Sequence, residues 1–238
     1  MHPALAGARA TVAAGGEERG YLVDAPASAP GDPRPLVLVF HGFGSDAGAM
    51  RAGLRLHEHG HLDRAVVVYP EGHEGVRLLG TTGRGWDLTP SEDRDGPFVA
   101  ALLDRLEAER CVDRRRVYAT GFSNGGFFAN LLACRLARRL AAAAPVGGAD
   151  ALDGCTPARP VPILLLHGRA DDVVPPASAR RAREWWAARN GCGAPTRSGD
   201  CTRHAGCDAD VVHCEGPQAH TWPRDGIAAV WRFFAAHP

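Results

Sequence analysis

Short runs of unbroken apolar residues recur along the chain, and most are followed by a polar or Gly-rich break and then apolar residues at helical spacing. "LVLVF" (36–40) and "AVVVYP" (65–70) show no polar alternation, which is the pattern of strands buried on both faces of a parallel sheet. "RVYAT" (116–120), the small-residue run "AAAAPVGG" (141–148) and "VPILLLH" (161–167) repeat it, and "ADVVHCEG" (209–216) predicts a last strand. An earlier strand is predicted at "ERGYLVD" (18–24), with a Pro/Ala-rich turn region up to Pro35. Helices are predicted within "AGAMRAGLRLHEHGHL" (47–62), at 97–109, from Gly125 to Leu140, at 178–190 and at 226–237. The second of these puts Phe98, Leu102, Leu103 and Leu106 on one face. Residues 71–97, rich in Gly, Thr, Asp and Pro, read as a long loop around Trp86.

Strands alternating with helices through short connections predict an α/β fold, a mostly parallel central sheet with helices on both faces. No internal repeat, low-complexity tract or linker interrupts the pattern, so residues 1–238 are expected to form a single domain. A chain of 238 residues buries a substantial core without help from metals or disulfides. Basic and acidic side chains balance at 27 each, and no stretch interleaves arginines with aromatics, so nucleic acid is not an expected partner. No run approaches the length of a membrane-spanning helix, and a monomer is expected. Lysine is absent, which reads as codon usage rather than mechanism.

Cysteines change the picture. Cys192, Cys201, Cys207 and Cys214 crowd one Gly-rich stretch at a spacing that matches no common zinc site. Such a cluster reads as the disulfide staples of an exported protein. The start, "MHPALAGARATVAAGG", shows no basic segment followed by an apolar one, and a numbering that begins after a removed leader would reconcile the two. If Cys207 begins the turn of a hairpin, Cys201 and Cys214 face each other across it. The count of seven leaves one thiol over, expected to be Cys111.

The candidate chemistry centres on "GFSNG" (121–125). Alone, a Gly-x-Ser-x-Gly is weak, because a serine capping a helix in a Gly-rich turn looks the same. Its context is more specific: a strand pattern ends at Thr120 and a helix pattern begins just after Ser123, the setting of a strained elbow that lifts a nucleophilic hydroxyl above a sheet edge. A serine needs a base to take its proton and an acid to orient that base. "LLLHGRADDVVP" places Asp171 and Asp172 beyond the end of a buried strand, where open α/β sheets carry their chemistry. Asp171 is favoured and Asp172 is the alternative. His220 lies on a polar loop before the last helix. Among the other histidines, His41 and His167 close apolar strands and look architectural, His213 lies inside a strand, and His204 sits in the cysteine cluster. The oxyanion donors are expected from the backbone amides of Asn124 and of Phe43, within "HGFG". Trp222, close to His220, and Trp86, in the long loop, are candidate surfaces for an acyl or aromatic group. Trp185 and Trp186 read as core. "HEHGH" (57–61) has no carboxylate or cysteine set at helical spacing and reads as a solvated helix end rather than a metal site.

"GFSNGG" after "CVDRRRVYAT", with "HGFGSDAGAM", "HGRADDVVP" and "HTWP", resembles the secreted α/β-hydrolase esterases grouped with feruloyl esterases and polyhydroxybutyrate depolymerases. The similarity runs from "TVAAGGEERGYLVDAP" to "IAAVWRFF". It implies an α/β-hydrolase fold, Ser123 as nucleophile, His220 as base, Asp171 as acid, and the amides of Phe43 and Asn124 as oxyanion hole. It also implies disulfides Cys134–Cys155 and Cys192–Cys207. Two departures touch the rim of the site: "EDRDGPF" stands where such enzymes tend to have an Asp-Val-Gly-Phe-like run, and "GPQAHTWP" replaces a more Gly-rich approach to the histidine.

The expected activity is hydrolysis of a carboxylic ester through an acyl-enzyme, with no cofactor and with a rate that rises as His220 loses its proton. A chain that ends with the last helix of the fold favours soluble or plant-cell-wall esters, such as feruloyl groups on xylan. Polyhydroxybutyrate oligomers and acetylated xylan are the alternatives. A peptidase and a non-catalytic binding protein of the same fold are the rivals from other classes.

Overall fold

The computed structural model describes residues 4–27, 31–56, 64–78, 80–89 and 93–238, so "HEHGH" lies outside the described residues. In chain order the elements are β1 (Leu5–Ala14), β2 (Glu17–Ala25), β3 (Arg34–Phe40), α1 (Ala47–Leu54), β4 (Val66–Pro70), β5 (His73–Leu78) and β6 (Thr81–Gly85). There follow α2 (Asp95–Glu109), β7 (Val112–Phe122), α3 (Asn124–Arg135), β8 (Ala142–Val146), β9 (Ile163–Gly168) and α4 (Pro176–Arg189). The chain closes with β10 (Pro195–Ser198), β11 (Cys201–His204), β12 (Val211–Gly216) and α5 (Gly226–Ala235).

Ten strands form one sheet in the order β1-β2-β4-β3-β7-β8-β9-β12-β11-β10. The middle strands from β4 to β12 pair in parallel, and both margins are antiparallel. Period-two alternation splits the strands between two cores. Leu36, Leu38 and Phe40 of β3 pack with Leu102 and Leu103 of α2, Phe128 and Leu132 of α3 and Trp186 of α4. Val37 and Val39 pack with Met50 of α1 and Phe233 and Phe234 of α5. Unbroken apolar strands are therefore what this sheet requires, because neither face of its middle meets water.

The structure adds elements that the pattern did not predict. β1 is Ala-rich, with little of the β-branched signal that marks a strand, and its place is set by antiparallel pairing with β2. The 71–97 loop holds the β5–β6 hairpin, whose polar, Gly-containing strands do not alternate cleanly and whose register shifts once. The third predicted helix ends at Arg135, five residues early, and turns carry the chain on to Leu140. Disulfides join Cys134 to Cys155, Cys192 to Cys207, and Cys201 to Cys214. The last pair sits at directly opposed positions of β11 and β12, and Cys111 is free.

Candidate active site

Ser123 stands between the end of β7 and the first residue of α3, with φ 56° and ψ −120°. A left-handed serine is strained and persists only where its surroundings hold it. Here its amide donates to Val146 O at 2.9 Å and its carbonyl accepts from the Phe127 amide at 3.0 Å. The flanking glycines are required by space: a Cβ at Gly121 would lie 2.4 Å from Gly125 O, and one at Gly125 would lie 2.3 Å from Phe40 O. The elbow thus sets the hydroxyl at the carboxyl edge of the sheet and at the positive end of α3.

His220, on the loop between β12 and α5, has Nε2 2.9 Å from Ser123 Oγ. Its Nδ1 is 2.7 Å from Asp171 Oδ2. With Nδ1–H donating to the carboxylate, Nε2 is the lone-pair nitrogen that accepts from the serine hydroxyl. Asp171 sits beyond β9, and its Oδ1 accepts the amides of Val173 (3.0 Å) and Val174 (2.8 Å). Burial pushes its carboxyl up, but the His220 hydrogen bond and the two amides outweigh burial and hold it below the usual carboxylate range. The neighbouring Asp172 is exposed and takes no part.

The loop after β3 is fixed from below. His41 is fully buried; its Nδ1 donates to Gly42 O at 2.8 Å and its Nε2 accepts the Gly72 amide at 2.9 Å. A ring that accepts an amide on Nε2 while donating from Nδ1 is the neutral imidazole, and burial, which lowers the His41 pKa, favours that form. The Trp86 indole N–H donates to His41 O at 2.9 Å, and the Gly44 amide donates to Arg84 O at 2.8 Å. Asn124 completes the frame: its Oδ1 accepts the Trp86 amide at 2.7 Å and its Nδ2 donates to Trp86 O at 3.2 Å. At the first position of α3 the Asn124 amide has no intrahelical acceptor. The hairpin, the HGFG loop and the start of α3 are therefore one cross-tied unit. A further tie comes from Asp95, which is fully buried and receives Arg19 Nη2 at 2.6 Å and the Asp87 amide at 2.7 Å.

A cleft of about 580 Å³ opens over Ser123 and His220, lined by Phe43, Met50, Leu54, Phe122, Val173 and Trp222 among others. Trp222 is half-buried on this wall, with its ring centroid 6.5 Å from that of Phe122. Trp86 departs from expectation. It is 0% exposed, stacked on Phe128 at 4.9 Å and edge-on to Phe40 at 5.0 Å, so no acyl group reaches its face. Its role is to support the HGFG loop and Asn124. Sequence reasoning also missed the polar duties of His41 and His167; the signal was there, since "HG" closes two strands at the edge that carries the chemistry. Trp185 and Trp186 are core. His204 is buried, with Nδ1 donating to Gly193 O at 3.0 Å beside the cysteine cluster.

No family model matches the chain. Feruloyl esterase B of Piromyces equi is 30% identical over 220 residues, covering 81% of this chain and 40% of that protein. Feruloyl esterase D of Neurospora crassa is 29% identical over 190 residues, covering 74% and 61%. Over these spans the chain is similar to feruloyl esterases. It spans 40% and 61% of the length of these two relatives. Among solved structures, an acetyl xylan esterase from Aspergillus awamori superposes with a TM-score of 0.72 at 17% identity, covering 96% of this chain and 99% of that one. That likeness shows the shared α/β-hydrolase fold. Among the described residues of this α/β-hydrolase, no helix is long and apolar enough to cross a membrane.

Proposed function

We propose that this α/β-hydrolase is a serine carboxylic ester hydrolase acting on feruloyl or related plant-cell-wall esters. The observation that carries the reading is the chain of hydrogen bonds from Ser123 Oγ through His220 to Asp171, at 2.9 and 2.7 Å, at the floor of an open cleft. Ser123 Oγ attacks the ester carbonyl carbon while His220 Nε2 takes its proton, and Asp171 stabilises the imidazolium that forms. The negative charge on the carbonyl oxygen is met by the amides of Phe43 and Asn124, fixed before the reaction by the buried frame around them. Collapse of the tetrahedral intermediate expels the alcohol, which leaves with the proton from His220. Water then repeats the sequence on the acyl-enzyme and frees the acid and Ser123. The steps call for no cofactor.

The cleft supports an aromatic acyl group over acetate alone. Its walls are largely apolar and aromatic, from Met50, Leu54, Phe122 and Trp222, and a hydroxycinnamoyl ring gains contact area there that an acetyl group lacks. The names of the relatives agree with such a substrate. Residues 1–238 are read as one catalytic domain, acting as a monomer, and the disulfides as the mark of an exported protein. The test is hydrolysis of methyl ferulate and p-nitrophenyl acetate by wild-type protein and by Ser123→Ala. Wild type is expected to cleave both, and Ser123→Ala at the wild-type rate would overturn the reading.

A further inference from the structure

His167 closes β9 four residues before Asp171, and both side chains are 1% exposed. Its Nε2 lies 2.9 Å from Val174 O and 3.2 Å from Asp171 Oδ2. A carbonyl oxygen and a carboxylate both accept, so Nε2 must carry the proton and its N–H is shared between them. Nδ1, on the other side of the ring, meets no hydrogen-bond partner among the described residues. The carboxylate of Asp171 is thus surrounded on all sides: two amides on Oδ1, and His220 and His167 on Oδ2.

The groups behind His167 are placed so that none competes for the acid. His213 of β12 is opposite Leu165 of β9, on the same face as His167, and burial lowers its pKa to about 4 against the pull of Glu215. It is neutral at neutral pH. Glu215 is gripped by Arg180 of α4 through two hydrogen bonds of 2.7 and 2.9 Å, and Arg183 of α4 also acts on His213.

We propose that His167 is a positioning residue for the acid: its Nε2–H pins the Asp171–Val174 turn and shares the negative charge of Oδ2 with His220. The proposal rests on the reading of Ser123, His220 and Asp171 as the catalytic groups. Two consequences follow from removing this donor. The turn loses a tie, so kcat falls, while KM holds because His167 does not line the cleft. Charge on Oδ2 that His167 shared is left to His220, the imidazolium is favoured, and the acidic limb of the rate profile moves to higher pH.

His167→Met, of similar size but without a donor, and His167→Gln, whose amide can donate near the Nε2 position, separate these effects. His167→Met is expected to lower kcat about tenfold and to raise the acidic limb of kcat/KM by about half a pH unit, with Gln restoring most of both. Equal values for Met and Gln, or a fall in activity with the limb unmoved, would overturn the proposal and leave His167 a packing residue. The imidazole ¹⁵N spectrum of wild-type protein decides independently of how the variants fold. An Nε2–H tautomer with a slowly exchanging proton is expected, and an Nδ1–H tautomer would overturn the contact. If wild-type protein cleaves no ester and takes no fluorophosphonate on Ser123, the esterase reading fails instead, and the tautomer still reports on His167.

Discussion

On one side of Ser123, His41, Trp86 and Asn124 are buried and hydrogen-bonded to each other's loops and to Gly72. On the other side His220 rides on a surface loop, half-buried between the exposed Ala219 and Thr221. That loop is held by lighter ties, such as the Ala170 amide to Gln218 O at 3.2 Å and Gln218 Nε2 to His167 O at 3.2 Å. In the proposed mechanism, the contrast follows the work each side would have to do. Oxyanion donors are useful only if they are already in place when charge develops. A general base has to pass a proton to a departing alcohol and then take one from an entering water, so it must stay open to solvent. Rigidity is built into the core on one side, and access is left on the other.

Substitutions can test that division. The largest effect is expected from His220→Ala, which should lower kcat on p-nitrophenyl acetate by about 10⁴-fold or more while leaving the melting temperature near that of wild type. A large loss of stability would mean that the exposed loop is structural after all. Next comes a pair of tryptophans on the two sides. Trp86→Ala should destabilise the protein by about 3–5 kcal/mol in urea unfolding and lower kcat as the HGFG loop loosens. Trp222→Ala should cost about 1 kcal/mol and act chiefly by raising KM for methyl ferulate over methyl acetate. Exchanged roles would collapse the comparison.

A smaller effect concerns pH. Asp171 is held below the usual carboxylate range in the folded protein, so its ionised form contributes stability that is present above the unfolded value of about 3.9 and lost as pH falls through the lower folded value. The difference in unfolding free energy between wild type and Asp171→Asn should therefore be largest near pH 6 and shrink toward pH 3. A difference independent of pH would contradict the account.

Much of this molecule was legible in its sequence, and the parts that were not share a cause. The central strands announce themselves because burial on both faces leaves no room for polar residues, as in Leu36 to Phe40. The turn at Ser123 was legible because its conformation demands glycines that the sequence displays. β1 and the β5–β6 hairpin were hidden, since pairing with neighbours, rather than their own composition, makes them strands. Trp86 misled for a related reason: a tryptophan in a Gly-rich segment looks exposed until that segment is seen folded under the HGFG loop. Likewise "HG" at 41 and 167 shows a histidine at a strand end without showing what its second nitrogen meets.

The central claim is that Ser123 is a nucleophile activated by His220. Reaction of the folded protein with a fluorophosphonate, followed by peptide mass spectrometry, tests it most directly. The account predicts one phosphonyl adduct per chain, located on Ser123, formed rapidly in wild type and slowed by orders of magnitude in His220→Ala. Absence of an adduct on Ser123 in folded wild-type protein, or equal labelling of the His220→Ala variant, would contradict it.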